Sequence, residues 1–203
     1  MKSKFLIVFG LLLASVGVFA QNYFGVTGGY NLSNIRNADT PYVEYHPQSG
    51  FNVGVAYEHR FSTNGKGYPF LDASILYSLE RYKGTPLVDN YYDLVFSAGS
   101  SPSFDEGSKF LKIPVSFGYN FQLTDKFGIA PKIFGIFDAD MSGPPSSGSD
   151  KFFAFGGGAN FNIGERFSIG VGYDFRRDIY GFADEYILFD NYHANLTYYI
   201  FSK

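Results

Sequence analysis

Residues 109–121 alternate between apolar side chains and side chains that are polar or small. The apolar positions are Leu111, Ile113, Val115, Phe117, Tyr119 and Phe121, and the intervening ones are Lys112, Pro114, Ser116, Gly118 and Asn120. Successive side chains of a strand point to opposite faces, so the pattern predicts a strand with one apolar face. The same period recurs to the end of the chain, which is typical of strands that face lipid on one side and a polar interior on the other.

Eight segments carry this alternation, and together they predict an all-β fold, an eight-stranded antiparallel up-and-down transmembrane β-barrel. The predicted strands are residues 23–35, 50–61, 69–82, 109–121, 127–140, 151–163, 166–177 and 191–201. Ten strands stay open as an alternative if a long connection hides a hairpin. In the last segment the phase is ambiguous, because aromatic residues occupy both faces near its end.

Short and long connections alternate along the chain. The short ones are residues 62–68, 122–126 and 164–166, and the long ones are residues 36–49, 83–108, 141–150 and 178–190. Outer-membrane barrels have short periplasmic turns and longer external loops, so both ends of the barrel domain are predicted to lie in the periplasm.

A soluble eight-stranded barrel of the lipocalin type shares this alternation but turns its apolar face inward. Three features favour the membrane barrel instead. Aromatic residues lie toward the ends of the apolar faces, glycine is common on the opposite faces, and the chain ends in Tyr199, Ile200 and Phe201, as outer-membrane assembly signals do.

Composition supports strands over helices and restricts the chemistry. The chain has 24 Phe, 17 Tyr and 24 Gly, and such glycine content disfavours long helices while the aromatics suit strands and membrane interfaces. The absence of Cys excludes disulfides and thiolate metal sites. A formal net charge of −3 gives no support for nucleic-acid binding. No cofactor or metal site is predicted.

The first twenty residues are predicted to be a secretory signal peptide. Lys2 and Lys4 precede an apolar core at residues 5–13, and small residues lead to Ala20, after which cleavage is expected. The apolar run is shorter than a membrane-spanning helix requires. The expected division is therefore a signal peptide, residues 1–20, and an outer-membrane β-barrel domain, residues 21–203.

The chain resembles a known family, the small Gram-negative outer-membrane β-barrel proteins of the porin-family or PorT-like type, with the architecture of the OmpA and OmpX barrels. The resemblance is carried by GVTGGYNLSNI (residues 25–35), FLKIPVSFGYNF (110–121), FGIAPKIFGIF (127–137) and NYHANLTYYIF (191–201). It implies the fold and the outer membrane of a Gram-negative bacterium as location. It implies no catalytic or ligand residue.

Charged residues are predicted to collect inside the barrel. They are Glu58, Arg60, Asp72, Glu80, Lys112, Lys132, Asp138, Asp174 and Arg176. Side chains fill an eight-stranded barrel, so these charges must pair or hold water. Glu58 and Asp72 are expected to lie side by side, with Lys112, Lys132 or an arginine between them. A structural network of ion pairs is the first interpretation, and a proton or ion path the alternative.

The long external connections are the predicted recognition surface. Their candidates are Tyr91, Tyr92, Asp93, Phe104, Asp184, Glu185 and Tyr186, and an aromatic girdle with solvated acids is the alternative. The expected partners are outer-membrane lipid, lipopolysaccharide and the barrel-assembly machinery, with an extracellular protein or glycan as candidate ligand and a monomeric state. A structural or recognition role is predicted, and a narrow channel is the runner-up.

An outer-membrane enzyme is the third hypothesis. His46 is predicted in the first external loop and His193 at the outer start of the last strand, where the two could approach one another. No spacing of a nucleophile and a base stands out, so the chain is not expected to be an enzyme.

Overall fold

The computed structural model describes residues 21–36, 43–61, 66–86, 104–141, 151–179 and 186–202. They form eight strands: β1 (Gln21–Arg36), β2 (Val43–Arg60), β3 (Gly67–Pro86), β4 (Phe104–Thr124), β5 (Phe127–Asp140), β6 (Lys151–Ile163), β7 (Phe167–Ile179) and β8 (Tyr186–Ser202). Each strand pairs antiparallel with the next, and β1 pairs with β8 to close the barrel. The predicted fold class is confirmed.

Several predicted features lie outside the described residues. These are the signal peptide at residues 1–20 and the loop candidates Tyr91, Tyr92, Asp93, Asp184 and Glu185. The described part of the chain contains no helix long and apolar enough to cross a membrane.

The barrel is apolar outside and polar inside. Large apolar side chains are exposed on the outer wall, including Val55 at 56%, Phe155 at 59% and Ile133 at 71%. Buried positions hold asparagines and charged residues, with Asn120 and Asp138 at 0% exposure. A lipocalin-type barrel would have the opposite arrangement, so the structure selects the membrane interpretation.

The predicted strand ends are too short on one side of the barrel. β2 begins at Val43, β3 continues to Pro86, β4 begins at Phe104 and β8 begins at Tyr186. The placement of Phe104 and Tyr186 in loops was therefore wrong, because each is the first residue of a strand. Alternation is weak in these segments, but neighbouring strands extend together, as the pairs Val43–Pro86 and Gly84–Phe104 show.

A β-bulge resolves the ambiguous phase of β8. Phe24 pairs with Phe201 but Gly25 pairs with Tyr199, so Ile200 is an extra residue in the ladder. An extra residue reverses the alternation beyond it. Ile200 and Phe201 are accordingly both exposed on the outer wall, whereas Tyr199 is buried inside.

Two prolines interrupt the hydrogen-bonded ladders. Between β3 and β4, pairing stops at Ala73–Val115 and resumes at Leu76–Lys112, which omits Ser74–Pro114 and Ile75–Ile113. Between β4 and β5, pairing stops at Gly118–Lys132 and resumes at Phe121–Ile129, a gap that contains Pro131. In antiparallel pairs a residue exchanges its bonds with one neighbour, so each proline disturbs one side only. The expected loss of pairing at Pro114 is confirmed.

Interior glycines make room for large inward side chains, which predicts the effect of substituting them. A Cβ on Gly118 would lie 2.5 Å from the carbonyl oxygen of Pro131 and 2.6 Å from the Phe70 ring, whereas a Cβ on Gly135 would meet nothing nearer than a Phe155 carbon at 3.9 Å. We expect Gly118→Ala to lower the free energy of unfolding by about 1–3 kcal/mol through overpacking. Gly135→Ala is the matched control, with little change expected. Urea unfolding in lipid vesicles measures both, and equal stability of the two variants would contradict the prediction.

Candidate functional site

The inner wall of the barrel carries all nine charged residues that the alternation assigned to it. All but Asp72 and Lys132 are buried, and those two are half-buried. They lie in two groups. One is near the end of the barrel that holds the short turns, and the other is nearer the end that holds the long connections.

The first group contains Glu58 and Asp72, which are direct cross-strand neighbours. Arg60 forms an ion pair with Glu58, and Lys132 Nζ lies 3.1 Å from Asp72 Oδ2. Each carboxylate therefore has a cation of its own, whereas the sequence predicted one cation between the two carboxylates; Lys112 does not contribute. Hydroxyl groups complete the group: Tyr199 donates to Glu58 at 2.9 Å and Ser116 donates to Asp72 at 2.5 Å.

Aromatic rings surround the guanidinium of Arg60. Its central carbon lies 3.6 Å from the centroid of the Tyr23 ring, and the rings of Tyr68 and Tyr199 follow at 5.2 and 5.7 Å. A cation over ring faces is stabilised by the ring quadrupole, most strongly away from water. The first group thus closes the short-turn end with paired charges and stacked rings.

The second group has three carboxylates, Glu80, Asp138 and Asp174, around Lys112 and Arg176. Lys112 forms an ion pair with Glu80, and its Nζ lies 3.9 Å from Asp138 and 4.0 Å from Asp174. Arg176 Nη1 lies 3.4 Å from Asp138 and 3.9 Å from Glu80. The guanidinium also stacks on rings, 4.6 Å from Phe110 and 4.4 Å from Phe189.

Two further side chains complete the surroundings of Asp174. His193 Nδ1 lies 3.3 Å from Asp174 Oδ2, and the Asn191 amide donates to the same oxygen at 3.0 Å. The His193 ring also packs against Phe134, with centroids 5.6 Å apart. Among the described residues, no three His, Asp or Glu side chains are arranged to hold a metal ion.

A cavity of about 80 Å³ lies between the two groups. Its wall includes Asp72 and Lys132 from the first group and Lys112, Asp174 and His193 beside the second. Its volume is sufficient for several water molecules. The buried Asn52 Oδ1, also in this wall, has no hydrogen-bond partner among the described residues and would accept from such a water.

The histidines do not lie where the sequence placed them. His46 lies within β2, opposite Lys83, because β2 begins earlier than predicted. His193 is well inside β8 and faces the interior, because β8 begins at Tyr186. The proposed approach of these two side chains in the external loops therefore has no support, and the contacts of His193 are with Asp174 and Phe134.

Sequence reasoning missed the aromatic part of both charge groups. Tyr23, Tyr199, Phe110 and Phe189 face the interior and stack on arginine. Tyr23 and Phe110 lie at the ends of the segments in which apolar and polar side chains alternate clearly. The phase of β8 was ambiguous from the sequence. The sequence did contain one signal for these contacts, because aromatic residues with the inward phase lie near inward arginines. An eight-stranded barrel has little interior space, so such rings and guanidinium groups must pack against each other.

The chain is similar to one protein family in sequence and to several solved structures in fold. A family model described as the outer membrane protein beta-barrel domain matches residues 6–199. Solved structures with weak overall similarity include Ail of Yersinia pestis in complex with the heparin analogue sucrose octasulfate, at 14% identity over 90% of this chain and 100% of that one, with a TM-score of 0.44.

Two more solved structures are similar at the same level. The outer membrane enzyme PagL is 15% identical over 83% of this chain and 98% of its own, with a TM-score of 0.44. Neisserial surface protein A is 14% identical over 86% of this chain and 96% of its own, with a TM-score of 0.41. No curated protein sequence matches the chain.

The second charge group predicts a large effect for loss of its lysine. Lys112→Met leaves Glu80, Asp138 and Asp174 with one cation fewer, and breaking a buried pair costs about 3–5 kcal/mol. We expect a fall of that order in the free energy of unfolding in lipid vesicles, and partial recovery when Glu80→Gln is added.

The control for this prediction is Arg36→Ala. Arg36 pairs with Asp190 at 3.0 Å, but its side chain is 62% exposed, so its loss should lower the stability far less than the loss of Lys112. Equal effects of Lys112→Met and Arg36→Ala would show that the interior pairs do not stabilise the barrel.

Proposed function

The chain belongs to the outer membrane protein beta-barrel family, and from this premise we propose that it is a non-conducting barrel with a structural or recognition role at the cell surface. The family and the closed eight-stranded fold place it in the outer membrane of a Gram-negative bacterium. We also propose that residues 1–20 are removed on export and that residues 21–203 form the barrel domain.

The observation that carries this proposal is a sheet whose strands are longer on one side of the barrel than a bilayer requires. β2, β3 and β4 have 18, 20 and 21 residues, whereas β6 and β7 have 13 each. A tilted strand needs only about 9–11 residues to span a bilayer. β2 and β3 are joined by a short turn, so their extra residues lie at the opposite end. In outer-membrane barrels that end is the cell surface.

Among the described residues, the projecting part of β4 forms a sheet edge. The outermost pair of β4 with β5 is Phe110–Asp140, and Met141 N donates to Lys109 O at 2.7 Å. Within the described residues, the backbone of Phe104–Ser108 is paired with β3 alone. A sheet edge is a template for an extended peptide, and loops at the same end carry the aromatic and acidic recognition candidates. Both features support a surface that binds a protein or a glycan.

The interior supports the non-conducting part of the proposal. Ion pairs and stacked rings occupy both charge groups, and the cavity between them is only about 80 Å³. A water-filled porin channel requires a barrel of about 16–18 strands. The alternative function is a narrow channel for small solutes or ions, which differs from the proposal in conducting ions across a bilayer.

We expect the purified protein to form no steady channels in planar lipid bilayers. The comparison variant carries Lys112→Ala and Glu80→Ala, which removes an ion pair from the second group and widens the interior while keeping the charge balance. A rise in ion conductance only in this variant would identify the charge group as the obstruction. Steady channels of porin size in the unmodified protein would contradict the proposal.

We expect recognition to depend on the connection between β3 and β4. Residues 89–103 carry Asp89, Asp93 and aromatic side chains but no Lys or Arg, so fluorescent proteoliposomes that carry the protein should bind an immobilised basic protein or an uncharged glycan. Deletion of residues 89–103 should reduce this binding at least tenfold. Deletion of residues 146–149, a Ser- and Gly-rich stretch of another connection, is the matched control. Equal binding by both deletions would count against recognition through this connection.

A further inference from the structure

The outer wall of the barrel has an apolar groove. Its volume is about 530 Å³, within the ~300–1,000 Å³ range of small-molecule sites. It crosses β8, β1, β2, β3 and β4 and is lined by Phe24, Gly25, Val26, Val55, Ala56, Tyr57, Ala73, Ser74, Ile75, Ile113, Ile200 and Phe201. Most of these residues lie in the half of the barrel nearer the short turns.

Small residues form the floor of the groove and large ones form its sides. Ala73 shares the outward phase with Ile75, yet its cross-strand neighbours are Tyr57 and Val115, so a depression lies where a large side chain would stand. On the far side, the β8 bulge turns both Ile200 and Phe201 outward. The groove is therefore a consequence of sequence and register together.

The pairing of β3 with β4 is interrupted at one point behind the groove. Ser74 and Ile75 line the groove, and they are the β3 residues whose pairing with Pro114 and Ile113 is missing. Ala56 and Ser74 line the interior cavity as well as the groove. At this point only backbone and small side chains separate lipid from a polar cavity.

We propose that this groove binds one acyl chain of a membrane phospholipid and holds it against the interrupted β3–β4 ladder. The groove opens on the lipid-facing wall, so an acyl chain is the molecule available to it, and its lining is almost entirely apolar. Bulk lipid is as apolar as this lining, so the gain on binding comes from van der Waals contacts between the methylene groups and the groove. The bound chain also covers the thin part of the wall, beside the missing pairs of β3 with β4. The proposal rests on the membrane location and not on the recognition role.

The absence of Trp from the chain allows a direct test. Phe24 lines the groove and is 51% exposed, whereas Phe51 faces lipid outside the groove and is 47% exposed. Phe24→Trp and Phe51→Trp are thus matched single-tryptophan proteins. Each is folded in bilayers of phosphatidylcholine with brominated chains, which quench tryptophan, and is then extracted into unbrominated detergent.

We expect the fluorescence of Phe51→Trp to recover fully, and that of Phe24→Trp to stay quenched with about one brominated lipid retained per barrel. Adding Ala73→Phe should fill the groove and release the quencher. Ala194→Phe is the control, because Ala194 also faces lipid but does not line the groove.

Only protein that migrates as a folded barrel on unheated gels is compared. Full recovery in Phe24→Trp would overturn the proposal, because detergent would then have replaced the chain. Quenching that persists with Ala73→Phe would overturn it as well.

Discussion

Lipid offers a strand no hydrogen bonds, so every backbone group that faces it must be paired within the barrel. Closure between β1 and β8 gives each of the eight strands a paired neighbour on both sides, with pairing interrupted locally beside Pro114 and Pro131. It also forces inward side chains into a narrow space, where glycines such as Gly118 and Gly156 lie against the rings of Phe70 and Phe134. The polar interior and the apolar wall both follow from closure.

Charges in that narrow interior are stable only with partners. Glu58 and Asp72 lie side by side, and each binds its own cation, Arg60 and Lys132. The second group joins three carboxylates to Lys112 and Arg176. Buried pairs of this kind are costly to break and no more stable than apolar packing. They make the interior polar and leave between them only a small cavity, so we propose the projecting sheet and the outer wall as the surfaces for partners.

Local irregularities distinguish this barrel from an ideal one. Pro114 removes pairing on one side of β4, and the bulge at Ile200 turns two large side chains toward lipid. Among the described residues, the long strands β2, β3 and β4 extend past their neighbours and leave an edge. Each irregularity changes one surface without opening the barrel.

Alternation with period two is a local property of each strand, so the amino-acid sequence predicts the fold class and which residues face inward. It also predicted the neighbouring carboxylates, since a short turn sets the register of β2 and β3, and the loss of pairing at Pro114. Only the tertiary structure decided the cation that each carboxylate binds, the rings on Arg60 and Arg176, the position of His193 and the true ends of β2 and β8. Those features depend on contacts between strands far apart in the chain, such as Tyr199 with Glu58, and no local pattern encodes them.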